Sequence, residues 1–256
     1  MTLTNHQIAD YHAHGCLSGI QIADAMEAAR VRSLFDALEA SEGREKAQIG
    51  LLDRHVDQRF IWELATKPTV LDMVEALLGP DILLLATHFF CKYGREEKFV
   101  AWHQDVTYWG LEPPHALTVW YAVDDSDREN GCMRVIPGTH KDGIRAHGKS
   151  DQAGNLLSTN QEVPVTAAEE AAAADLVLKA GQISIHDGAL IHGSLPNRSD
   201  RRRCGLTMRY VPASVRTSDG TSRGRSWSPT PVRGSNRNFG DSAECAFYLN
   251  PPAQQT

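Results

Sequence analysis

Cysteine is scarce in this 256-residue chain: five residues (Cys16, Cys91, Cys132, Cys204 and Cys245), odd in number, none in a Cys-x-x-Cys pair. Neither a disulfide framework nor a zinc ribbon is indicated, and a reducing, cytoplasmic setting fits best. Long apolar runs are absent too. The run at 82–86 is far too short to span a bilayer. The first sixteen residues are polar and carry three histidines, which is no signal peptide. Positive charge is not in excess: 26 basic against 32 acidic residues leave a formal net charge of −6. That speaks against nucleic acid or an anionic membrane as the main partner. There is no Gly-x-Gly-x-x-Gly and no His-Glu-x-x-His, so dinucleotide and zincin chemistry lack support. No internal repeat is visible.

What is there divides by texture. The length suits one domain, 1–256, able to bury its core without staples. Residues 1–80 read as a mostly helical lead-in. Thr4 and Gln7 make a capping box, the helix they start runs to about His14, and Gly15 stops it. Ile22, Met26, Ala29, Leu34 and Leu38 form one helical stripe, and Val70, Met73, Val74 and Leu77 another, the second entered at Pro68 and ended by Gly79-Pro80. Residues 81–212 read as short strands (82–92, 100–108, 116–123, 132–136, 182–186, 189–192 and 204–211) with a polar excursion near 141–180. Asn130-Gly131 reads as the tight turn of a hairpin between 116–123 and 132–136. The arginine-rich stretch 213–256 reads as a loop and tail, with Phe239, Phe247 and Tyr248 docking back. A mainly β fold with flanking helices, a jelly roll or barrel, follows.

The chemistry gathers at Trp102-His103-Gln104-Asp105. In a strand, alternation turns His103 and Asp105 to one face, about 6–7 Å apart along the chain. One imidazole nitrogen and one carboxylate oxygen suit a divalent metal. A second histidine would complete a two-histidine, one-carboxylate triad with three open positions. His192 is the candidate and His186, six residues earlier, its rival. After the polar turn that follows, alternation sets Arg203, Thr207 and Arg209 on one face and Leu206, Met208 and Tyr210 on the other. If the two strands form a hairpin, Arg203 lies beside the strand of His192. An inward arginine needs an anion. A dicarboxylate that chelates metal at one end and meets the guanidinium at the other satisfies it.

The ordered set of motifs resembles the phytanoyl-CoA dioxygenase family of iron(II)- and 2-oxoglutarate-dependent oxygenases. The matching pieces are Trp102-His103-Gln104-Asp105, Asn130-Gly131-Cys132 with Ile136-Pro137-Gly138-Thr139-His140, and His192-Gly193-Ser194 with Pro196-Asn197-Arg198-Ser199 and Arg203. With the opening His6-Gln7-Ile8-Ala9-Asp10-Tyr11, the resemblance covers roughly 4–212. It implies a double-stranded β-helix, a cupin-like jelly roll, with iron(II) held by His103, Asp105 and His192. It implies Arg203 on the distal carboxylate of 2-oxoglutarate, with Ser194, Trp120 and His88 at positions that meet this co-substrate, and dioxygen as the other. The Gly193-Ser194 motif and the spacing to Arg203 favour His192 over His186.

Relatives that halogenate replace the carboxylate with a small residue. Asp105 therefore favours hydroxylation, or oxidative cyclisation or desaturation, of a small organic metabolite, with release of succinate and CO2. The aromatic residues Phe89, Phe90, Tyr108, Trp109 and Tyr121 read as pocket lining or core. The rival class is a non-catalytic, cupin-like metal-binding sensor, which has no use for Arg203. A third is a metal-dependent isomerase or hydrolase, which needs neither dioxygen nor 2-oxoglutarate. Nothing indicates an oligomeric state.

Overall fold

The computed structural model describes residues 2–234 apart from 151, 158, 218, 219, 223, 224 and 227; Phe239, Phe247 and Tyr248 lie outside the described residues. Helix α1 (Asn5–His14) begins where Thr4 accepts from the Gln7 N–H while the Gln7 side chain takes the Thr4 N–H, and ends on Gly15 in the left-handed region. Strand β1 (Cys16–Gln21) and helices α2 (Ala25–Glu42), α3 (Arg44–Ile49), α4 (Arg59–Ala65) and α5 (Pro68–Leu78) complete the lead-in. Asp24 caps α2, and Pro68, with no N–H to strand, opens α5. Then come β2 (Ile82–Lys92), β3 (Val100–His103), a 3-10 turn (Asp105–Tyr108), β4 (Leu111–Glu112), β5 (Leu117–Ala122) and β6 (Met133–Val135). The excursion holds β7 (Gly148–Lys149), β8 (Gln161–Glu162), α6 (Ala167–Ala171) and β9 (Ala174–Leu176). The chain continues with β10 (Gln182–Asp187), β11 (His192–Ser194), β12 (Arg203–Pro212), β13 (Arg216–Thr217), β14 (Thr221–Ser222), β15 (Arg225–Ser226) and β16 (Thr230–Arg233).

Two antiparallel sheets face each other: a larger one ordered β1-β10-β5-β12-β2-β16 and a smaller one ordered β3-β11-β6-β9. This is the double-stranded β-helix, with helices on the outer face of the larger sheet. Leu206, Met208 and Tyr210 of β12, with Phe89, Val119, Tyr121, Ile183 and Ile185, pack against Val31, Phe35 and Leu38 of α2 and Val70, Met73 and Val74 of α5. Phe35, fully buried, meets Phe89 with ring centroids 4.7 Å apart. Burying such a side chain contributes about 1.5–3 kcal/mol. The helices seal that face and leave the other face of β12, β5 and β10 turned toward the smaller sheet. Among the described residues no helix is long and apolar enough to cross a membrane.

Four local expectations are corrected. The strand at 100–108 stops at His103, and Asp105 opens a 3-10 turn. Asn130-Gly131 is a genuine turn, with Gly131 at φ 76°, yet it joins no hairpin: β5 and β6 belong to different sheets. β11 and β12 likewise fall in opposite sheets, so Arg203 faces the strand of His192 across the sandwich. A jelly roll sends successive strands to alternate sheets, which local turn chemistry does not report. Residues 189–191 also lie outside the strand, which begins at His192.

Candidate metal centre and its cavity

Register brings the two histidines together. His192 on β11 pairs directly with His103 on β3, and their ring centroids are 4.1 Å apart. Each Nδ1 lies 2.9 Å from the carbonyl oxygen two residues back, that of Ala101 or Leu190. A carbonyl only accepts, so each Nδ1 carries a proton and Nε2 is the nitrogen each ring offers to a ligand. Because β3 ends at His103, the 3-10 turn swings Asp105 back until Oδ1 is 3.6 Å from His103 Nε2. One ligand atom from each of His103, Asp105 and His192 lies within 4.8 Å of the others. Burial, then the neighbouring imidazoles of His103 and His186, hold the His192 pKa well below its ordinary value, so it is neutral and ready to ligate. Gln104 points the opposite way, fully buried; its amide donates to the Gly143 and Ala189 carbonyls and its oxygen accepts from the Arg145 N–H. It ties the Asp105 turn to the segment leading into His192.

The second carboxylate oxygen, Oδ2, has its own setting. The Thr118 hydroxyl donates to it at 2.8 Å, and His186 Nε2 and Arg209 Nε each stand 3.7 Å away. Burial alone would raise the Asp105 pKa. The Arg209 charge and the imidazoles of His103, His186 and His192 outweigh it and hold the carboxyl well below the usual range. His186 sits opposite Thr118 in the sheet, and its ring lies 4.5 Å from that of His192. Among the described residues its ring nitrogens have no hydrogen-bond partner, and it falls outside the three-residue ligand set. It is a wall of the cavity.

The far end belongs to Arg203. It is 3% exposed, its Nε has no hydrogen-bond partner, and its guanidinium reaches Ser194 Oγ only at 3.5 Å. Among the described residues it forms no ion pair, and burial lowers its pKa. Lys92 is buried beside it and donates to Ser194 Oγ at 2.5 Å, to Gly131 O at 3.3 Å and to Leu195 O. Ser194 Oγ thus accepts from two cationic groups and keeps its own O–H to give. Trp120 stands with its ring centroid 5.6 Å from the Arg203 guanidinium carbon. The indole lies against Gly205, where an added Cβ would fall 1.9 Å from Trp120 Cζ2. A partly open cavity brings together His103, Asp105, His192, Ser194, Arg203 and Trp120.

His88 is not brought to it. It opposes Thr207 and so shares the inward face, but its Nε2 is drawn to the carbonyl of Ile49, the last residue of α3, whose oxygen has no acceptor role left within its helix. Phe90 lines the cavity in its place. Phe89 and Tyr121 are core, and Trp109 stands over Arg209; the Tyr108 side chain lies outside the described residues. Arg216 bonds the Ala213 and Val215 carbonyls, and Arg233 pairs with Asp72 and Glu75, so these C-terminal arginines tie down chain. Sequence reasoning missed Thr118 and Gly205. The Thr118-x-Trp120 alternation was the available signal for the first.

Two strings in the chain spell motifs of other chemistries. Gly143-Ile144-Arg145-Ala146-His147-Gly148-Lys149-Ser150 has phosphate-loop spacing, but Gly148–Lys149 is a two-residue strand paired with Gln161–Glu162 and opens no helix. Gly220-Thr221-Ser222-Arg223-Gly224 has nucleophile-elbow spacing, but Thr221–Ser222 pairs with Arg225–Ser226, and among the described residues no helix follows it.

Comparison with known proteins places this site among relatives. The family model described as phytanoyl-CoA dioxygenase matches residues 20–205, which includes the triad and Arg203. The peroxisomal phytanoyl-CoA dioxygenase of Bos taurus is 28% identical over 169 residues, 64% of this chain and 50% of that protein. L-proline trans-4-hydroxylase of Streptomyces griseoviridis is 28% identical over 163 residues, 57% of this chain and 61% of that one. The chain thus spans about half the length of the phytanoyl-CoA dioxygenases it matches. Among solved structures, the apo non-heme monooxygenase ThoJ superposes with a TM-score of 0.73 at 29% identity, covering 89% of this chain and 84% of its own. CytC3, solved with Fe(II) and alpha-ketoglutarate, shares the fold, with a TM-score of 0.69 at 23% identity, 93% of this chain and 91% of its own.

Proposed function

The chain belongs to the phytanoyl-CoA dioxygenase family, and from that premise we propose that it is an iron(II)- and 2-oxoglutarate-dependent oxygenase. Its reaction is hydroxylation, or oxidative cyclisation or desaturation, of a small organic metabolite, with release of succinate and CO2. One observation carries the reading: a buried two-imidazole, one-carboxylate set shares a cavity with an arginine that has no acid partner among the described residues. A metal holder needs only the first half of that arrangement.

The residues fit both groups. His103 Nε2, His192 Nε2 and Asp105 Oδ1 would hold iron(II) and leave its other positions open. Arg203 would take the distal carboxylate of 2-oxoglutarate, with the Ser194 O–H donating and Trp120 closing the side. When bound, iron(II) with 2-oxoglutarate and dioxygen supplies the oxidising power, at the expense of the keto acid. The chain's own part is placement. Thr118 fixes Oδ2, so that Asp105 presents Oδ1. The Ala101 and Leu190 carbonyls fix both imidazole tautomers. The packed wall of Trp120, Met133 and Phe90 limits water. Because Asp105 fills the third ligand position, halogenation is disfavoured. The same reading takes the chain as one oxygenase domain, since β1 from the lead-in and β16 from beyond residue 212 both join the larger sheet. It expects a small-molecule substrate and neither nucleic acid nor membrane. Among the described residues Cys16, Cys91, Cys132 and Cys204 are free.

The test is succinate formation from 2-oxoglutarate, followed by NMR in air with iron(II) and a panel of small metabolites. Turnover that needs iron and dioxygen and vanishes in Asp105→Ala supports the proposal. Turnover of a metabolite that persists without dioxygen and 2-oxoglutarate would favour an isomerase or hydrolase instead.

A further inference from the structure

Arg209 is the second arginine of the cavity, six residues along β12 from Arg203 and on the same face. It is 6% exposed, and among the described residues its Nε has no hydrogen-bond partner. The carboxylate oxygen it faces, Asp105 Oδ2, stands 3.7 Å away, beyond hydrogen-bond reach, and already accepts from Thr118 at 2.8 Å. The Arg209 guanidinium carbon lies 5.9 Å from the Phe90 ring centroid and 5.4 Å from that of Trp109. Those ring faces attract the cation but offer it no acceptor.

Charge points the same way. The cavity lining carries two permanent cations, Arg203 and Arg209, against the single anion Asp105. A divalent ion and the 2-oxoglutarate dianion cancel each other. One positive charge is left over in a buried space, where an unpaired charge is costly. Lys92 does not offset it, since it is itself basic and is already engaged by Ser194 Oγ, Gly131 O and Leu195 O. The lining is therefore short of one negative charge, and Arg209 is the cation whose one acid, Asp105, would also be a metal ligand.

We infer that Arg209 is the anchor for an anionic group of the primary substrate, so that the substrate class is a small organic acid, a carboxylate or another monoanion. This rests on the oxygenase reading and deepens it. Phe90 and Trp109 would flank the carbon skeleton next to the acid group. Because Arg209 faces Asp105, the anchored acid lies beside the metal ligands, and the C–H bonds brought to reaction are those near the acid group. A role confined to steadying Asp105 is the rival, and it predicts a different loss.

The test uses the full chain loaded with cobalt(II) and saturated with 2-oxoglutarate. Acetate and its neutral isostere acetamide are titrated at fixed ionic strength, and the cobalt visible spectrum and the thermal unfolding midpoint are read. Acetate should give a saturable change in both signals that acetamide does not. Arg209→Gln, which keeps hydrogen-bond donors but not the charge, should weaken the acetate response about tenfold or more when read at saturating cobalt and 2-oxoglutarate. Equal responses to acetate and acetamide, or an undiminished acetate response in Arg209→Gln, would overturn the inference. Loss of cobalt affinity in Arg209→Gln would overturn it in favour of the Asp105-steadying role. Failure of the wild-type chain to bind cobalt or 2-oxoglutarate shows before acetate is added and counts against the oxygenase reading itself.

Discussion

The two faces of β12 come from ten consecutive residues and obey opposite rules. Outward, Leu206, Met208 and Tyr210 pack against the helices, and even the Tyr210 hydroxyl finds the Ala65 carbonyl at 2.8 Å. Inward, Arg203 and Arg209 are buried too, yet among the described residues each leaves its Nε without a hydrogen-bond partner. The outward face gains from every contact it makes. The inward face holds two cations in a low-dielectric space against the single carboxylate of Asp105, which weakens the fold and strengthens a ligand that brings a second acid. Incomplete satisfaction, confined to one side of one strand, marks where function sits.

That contrast can be broken most completely at the metal ligands. His103→Ala or Asp105→Ala should abolish tight iron binding and all turnover, measured by metal titration and by succinate release; an active double variant would end the triad assignment. Next, Phe35→Ala on the helix side should cost about 3–5 kcal/mol in denaturant unfolding while iron and 2-oxoglutarate bind as before. An equal loss of ligand affinity would mean that the two faces are not separable. Arg203→Met should do the reverse, weakening 2-oxoglutarate by about 2–5 kcal/mol with iron still bound and no loss of stability in the metal-free chain. Calorimetry and thermal melts read the two effects apart. The smallest effect is expected at Thr118→Val. Losing one hydrogen bond to Asp105 Oδ2 should weaken iron binding by about 1.5–3 kcal/mol and leave 2-oxoglutarate affinity for the iron-loaded protein nearly unchanged.

How legible these two faces were in the sequence follows from what each depends on. The period of two along β12 is local, so Arg203, Thr207 and Arg209 separate from Leu206, Met208 and Tyr210 on sight. The residue types of the triad are local too. Their meeting is not: His103 and His192 touch because β11 lies between β3 and β6, a pairing made across tens of residues. For the same reason Asn130-Gly131 announced a turn correctly and its partner strand wrongly. His88 failed because a helix-terminal carbonyl at Ile49 captured its ring, a competition no motif records. Gly205 was silent because its role is to be absent under the Trp120 indole. The open side of Arg209 became visible only once Asp105 was seen to be occupied by Thr118.

The most direct test of the central claim is anaerobic. Iron(II) and then 2-oxoglutarate are added to metal-free protein, and the weak visible charge-transfer band of an iron-chelated keto acid is followed in the wild type and in Arg203→Met. The account predicts a band that saturates in the wild type and needs far more 2-oxoglutarate in the variant. Iron binding without any band, or a band indifferent to Arg203, would contradict it.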